Sequence, residues 1–213
     1  MTSEDWYRRE TWTAEDEQQF ETKLSRSRGQ RSEYLRIQAW TLARTSEPAV
    51  ARPAIRLAAR YLNENPEGIF RAGVLLTIAS ASATLGDYDA ALQAYREALE
   101  AERRRPNVHD LAHLHFAWFV ATHHLETVFE EVLTVLEATL KDDDLVLPFW
   151  QYRYFAAVAL MSSARGDATR AAEMARRAIE AAEAERGPFS RHPTLGVARI
   201  DATVHRRLAE LAG

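Results

Sequence analysis

The chain of 213 residues contains no cysteine. That excludes disulfides, thiolate catalysis and cysteine-ligated zinc or iron–sulfur centres. Glycine and proline are scarce, at 8 and 7 residues, too few for an all-β protein with many tight turns. The formal net charge is −4, so there is no global basic field to hold nucleic acid or an acidic membrane. No apolar run approaches the ~18 residues needed to span a bilayer; stretches such as Phe116 to Ala121 are core-sized. The opening Met1-Thr2-Ser3-Glu4-Asp5-Trp6 lacks the basic region and apolar stretch of a secretory signal, so a cytoplasmic protein is expected. Gly-x-Gly-x-x-Gly, P-loop, Gly-x-Ser-x-Gly and His-Glu-x-x-His motifs are all missing. The carboxylates, Glu97, Glu100 and Glu102 among them, fall mostly at solvent-face helical spacing. The expectation is a protein that is not an enzyme and uses no cofactor.

What is present is helical. The 46% hydrophobic and 27% charged fractions are those of a folded protein. There are 37 alanines and 25 arginines against two lysines, Lys23 and Lys141. The arginine excess fits a GC-rich bacterial genome, whereas alanine favours helix and lets helices approach closely. Thr13-Ala14-Glu15-Asp16 caps a first helix reaching about Arg28. Helices are predicted from Gln30 to Arg44, from Pro48 to about Asn63, from Gly68 to Leu85 and from Tyr88 to Arg104. Others follow from His109 to Thr122, Leu125 to Leu140, Pro148 to Ala164, Ala168 to Glu185 and Thr194 to Leu211. Asp142-Asp143-Asp144 reads as a turn, and no segment keeps a period of two.

The helices recur at a spacing of forty residues. Ala58, Ala98, Ala138 and Ala178 form one column; Ala51, Ala91, Glu131 and Ala171 form another. Ala39, Ala79, Phe119 and Ala159 align in the preceding helices, and Ser46, Gly86, Glu126 and Gly166 share the turn register. A repeated helix pair cannot bury its apolar stripe alone, and stacking copies buries a continuous core.

Leu85-Gly86-Asp87-Tyr88 with Ala91, Tyr95 and Ala98 resembles the second half of a tetratricopeptide (TPR) repeat. Ala164-Arg165-Gly166-Asp167 with Ala171, Ala175 and Ala178 is a second, sparser match. The forty-residue period exceeds the family's 34. The resemblance implies an all-α fold, an α-solenoid of stacked antiparallel helix pairs with N- and C-terminal capping helices. Residues 1–29 would be an aromatic segment and cap, 30–187 four helix pairs, and 188–213 the closing cap.

The resemblance also implies a non-catalytic scaffold that takes a protein or peptide, acidic by preference, in a concave groove lined by the first helix of each pair. By register, Arg36, Trp40, Arg44, Leu76, His113, Phe116, His123 and Arg153 would line it, with Glu33 as its one acid. The alternative for Trp40 and Phe116 is simple core, since interfaces and cores use the same residue types. A helical enzyme, a ligand sensor using the same His- and Arg-lined cavity, and a regulatory or immunity-type partner are the other readings. His109, His113, His115, His123 and His124 crowd one helix, yet lack the spacing of a metal site. Arg103-Arg104-Arg105 either binds phosphate or complements a helix C-terminus. Arg26, Arg28 and Arg31 extend into no aromatic–basic stripe, so no nucleic-acid partner is expected. Trp6, Tyr7 and Trp12 either fold back on the first helices or dock on a second copy to make a homodimer.

Overall fold

The computed structural model describes residues 6–213. Among them are ten α-helices and no strand: α1 Ala14–Arg26, α2 Arg31–Ala43, α3 Pro48–Glu64, α4 Arg71–Thr84, α5 Tyr88–Arg104, α6 Ala112–Thr122, α7 Phe129–Thr139, α8 Pro148–Ala164, α9 Ala168–Ala182 and α10 Ala202–Ala212. None of the described helices is long and apolar enough to cross a membrane. The chain forms two compact units, Met1–Ala112 and His113–Gly213.

In the first unit each helix packs on the next, and α2 also touches α4. The core is built from Phe20, Leu24, Leu35, Leu42, Leu57 and Tyr61, with Ala39, Ala51, Ala54 and Ala58 at the close approaches. Thr13 caps α1 in a reciprocal box with Asp16. Pro48 opens α3 where no intrahelical donor is needed; Pro53, expected at the start, lies inside the helix and is buried. An ion-pair chain holds α1, α2 and α3 together. Glu64 takes Arg31 and Arg60, each at 3.0 Å, and Arg60 reaches Glu21 at 2.6 Å.

The N-terminal aromatics fold back on this unit. The Trp6 ring lies 5.3 Å from Phe20 and 4.8 Å from Tyr34, Tyr7 lies 4.5 Å from Tyr34, and Trp12 lies 5.3 Å from Phe20. Gln38 fixes the strap. Wholly buried, it accepts from the Arg9 N–H at 3.0 Å and donates to the Arg9 carbonyl at 2.7 Å, as a second peptide group would.

In the second unit α8 packs on α9, and α10 covers both. Tyr152, Phe155, Val158, Leu160 and Met161 of α8 are buried among Met174, Ala175, Ala178 and Leu208. The last helix starts at Ala202, not Thr194. Residues 187–200 instead form a loop. Gly187 donates to the Pro193 carbonyl at 2.7 Å, and Gly196 accepts from the Phe149 N–H at 2.8 Å, in the first turn of α8. Gly196 has φ +79, and a Cβ there would lie 2.6 Å from Leu147.

The forty-residue spacing recurs in helix starts: Arg31 and Arg71 for α2 and α4, and Pro48, Tyr88 and Ala168 for α3, α5 and α9. It recurs in the turns. Gly86 and Gly166 have φ of 75 and 79, and Asp87 and Asp167, which follow them, cap α5 and α9 with the same dihedrals. The third turn departs from the register. Its left-handed residue is His124, φ 53, rather than Glu126, which begins a short 3-10 turn ahead of α7. The chain bends earlier here, although Ser46, φ 56, keeps the register of the first turn without a glycine, and the buried stripe of α7 is Phe129, Val132 and Leu136. Ala138, aligned with the buried Ala58, Ala98 and Ala178, is exposed.

Candidate partner-binding face

The sequence-predicted lining residues fall into two groups. In the first unit, Arg36 and Trp40 of α2 and Arg44, its C-cap in the helical conformation, lie four residues apart, one above another on a single face. Trp40 is 49% exposed, unusual for so large an apolar ring. The Arg44 guanidinium lies 5.4 Å from the Trp40 ring centre, and Arg36 lies 4.3 Å from that of Phe70. Phe70 and Ile69, exposed in the turn before α4, continue the patch. Leu76 is buried and belongs to the core, not to this surface.

The two arginines are already paired. Arg36 donates from Nε to Glu33 at 3.0 Å, and Arg44 donates to Glu10 at 2.9 Å. Exposed pairs of this kind hold only about 0–1 kcal/mol and exchange readily for an incoming carboxylate. Asp110 adds a second acid near Arg36. It accepts from the Gly73 N–H, and burial pushes its carboxyl above the usual carboxylate range against the pull of that bond and of Arg36. Glu102 behaves alike: burial raises it although it accepts from the Asp110 N–H at 2.6 Å and the Ala112 N–H at 3.2 Å.

In the second unit the expected residues are mostly interior. Phe116 is fully buried, which is the core reading, not the groove one. His113 is buried too, its Nε2 3.2 Å from Asp144. His123 is half-buried, its Nδ1 3.0 Å from the Phe119 carbonyl. Arg153 is half-buried among rings, 4.5 Å from Phe149, 4.9 Å from Trp118 and 5.9 Å from Trp150. His115 packs edge-on to Trp150 at 5.0 Å; burial first, then Arg153 and His113, push it down to about 3. Among the described residues no group of three or more His, Asp or Glu is placed to hold a metal ion.

Sequence reasoning missed Glu10 and Phe70 as members of the α2 face. Phe70 had a signal, since Ile69-Phe70 directly after Gly68 places two large apolar residues in a turn. Glu10 had none, because only the folded-back strap brings it to Arg44.

No family model, no curated protein and no solved structure matches this chain.

Proposed function

We propose that this protein is a non-catalytic adaptor of TPR-like helix pairs that binds a protein or peptide partner on the outer face of α2. The observation that carries the reading is Trp40, half in water between two arginines on a helix whose opposite side is core. Trp and Arg dominate contact energy at protein interfaces. The rings hold the guanidinium planes in place, which lowers the entropy lost on binding. An acidic segment with an apolar anchor is the partner chemistry that suits this face, its carboxylates exchanging with Glu33 and Glu10. A stacked, solenoid-like arrangement is supported by the forty-residue recurrence of helix starts and turns. It is also supported by the α2–α4 and α8–α10 contacts, which link helices two apart within each unit.

Quantitative mass spectrometry of material co-purifying with the tagged full chain tests the reading. A specific set of proteins is expected with the wild type and is lost with Trp40→Ala and with Arg36→Glu, both variants keeping the wild-type melting temperature. An identical set from all three would refute it.

A further inference from the structure

The arginine run at the end of α5 does two different things. Arg103 and Arg104 turn to Glu100, each through Nε at 2.8 Å, as cations at a helix C-terminus do. Arg105 turns the other way. Its Nη2 donates to the Glu67 carbonyl at 2.6 Å, beside a cavity of about 220 Å³ that Arg71 also lines. Arg71 in turn donates to the Pro66 carbonyl at 3.3 Å.

Both guanidiniums are held by backbone oxygens of one turn, and Arg105 has in addition a long, water-exposed ion pair with Glu67. The nearest carboxylate to Arg105, Glu67, stands 3.7 Å away with 90% of its side chain in water. Glu100 is engaged by Arg103 and Arg104. Besides Pro66, Glu67 and Gly68 of the turn, and Arg104, the walls are the apolar Ile69, Ala72, Ala101 and Val108, which lower the local dielectric and strengthen attraction for an anion. The turn is rigid. Gly68 approaches so closely that a Cβ would lie 2.9 Å from the Tyr61 hydroxyl, and Asn65, which accepts from the Gly68 N–H at 3.0 Å, is tied to Ser32 at 3.0 Å. The positive end of α4 adds to the field, since Arg71 and Ala72 are its first residues.

We infer that this cavity is a binding site for a phosphate-class oxyanion, either free phosphate or the phosphate group of a small phosphomonoester. Two planar guanidiniums with unused N–H groups suit the several acceptors of a phosphate dianion better than the two of a carboxylate. The wider cleft along α5, about 660 Å³ and sharing Arg71, Ala101 and Arg104, leaves room for the rest of an ester. This site meets the edge of the α2 face at Ile69, but its two cations, Arg71 and Arg105, are not among the residues of that face, so the two readings are tested apart.

Calorimetric titration of the full chain at constant ionic strength is the test, with inorganic phosphate, glycerol phosphate and acetate as the three probes. Saturable binding of phosphate is expected, with acetate weaker by about tenfold or more. Tighter binding of glycerol phosphate assigns the site to an ester, and equal binding assigns it to the free anion. Arg71→Ala and Arg105→Ala should each raise the dissociation constant by about tenfold, whereas Arg103→Ala, outside the cavity, should not. Circular dichroism checks folding, and Arg105→Gln replaces any alanine variant that melts early. No saturable heat with phosphate, an equal response to acetate, or wild-type affinity in the folded Arg71 and Arg105 variants would overturn the inference.

Discussion

Gln38 shows how much one side chain can decide. Its amide replaces a peptide group in pairing with Arg9, and that pairing brings Trp6, Tyr7 and Trp12 onto Phe20 and Tyr34. Gln38→Leu leaves the Arg9 N–H and carbonyl without partners in a buried place. It should cost about 1–3 kcal/mol in urea unfolding, and the aromatic strap should become accessible to protease. His124 makes the opposite case. It holds φ 53, where an L-residue pays about 1–2 kcal/mol and glycine does not. His124→Gly should raise the melting temperature, and an unchanged or lower value would contradict that placement. His115 sets a pH dependence. Its folded pKa, about 3, lies below the ordinary 6.5, so the unfolded chain binds more protons between those values. The stability it contributes is full above about pH 6.5 and is lost as pH falls towards 3. Melting curves from pH 7 to pH 4 should show this loss, and His115→Gln should flatten the curve.

At the scale of elements, the alanine columns record where helices touch. Ala98 is wholly buried, whereas Ala138, forty residues on, is exposed. Ala98→Leu should therefore lose about 1–3 kcal/mol by overpacking, while Ala138→Leu should stay within about 0.5 kcal/mol of wild type. The contrast explains what could be read from the chain. Helices α5 and α8 were legible to the residue, because Asp87 before the first and Pro148 at the start of the second are unambiguous signals. The start of α10 was not. Thr194 imitates a cap, and only the seating of Gly196 against Leu147 and Phe149 shows that the segment is a loop. The register of α7 was hidden for a similar reason. A left-handed histidine does the work of a glycine, and a sequence does not mark it.

At the scale of the molecule, the chain forms two all-helical units, and some helix starts and turns recur at a spacing of forty residues. The binding face was legible only in part. That Arg36, Trp40 and Arg44 share one face follows from their four-residue spacing; their place on a binding surface is what the TPR resemblance implies. The burial of Leu76 and Phe116 does not follow from spacing, because a groove and a core draw on the same side chains. Of the acids that hold the arginines, Glu33 is legible three residues before Arg36 on α2, whereas Glu10 comes from the strap and is visible only in three dimensions. Site-specific photo-crosslinking in the cells that make the protein tests this face most directly, with the reactive group at position 33, beside Arg36 and leaving Trp40 in place, and a control at exposed position 138. A discrete heavier adduct is expected from position 33 and none from position 138. Equal labelling at both positions, or no adduct at either, would contradict it.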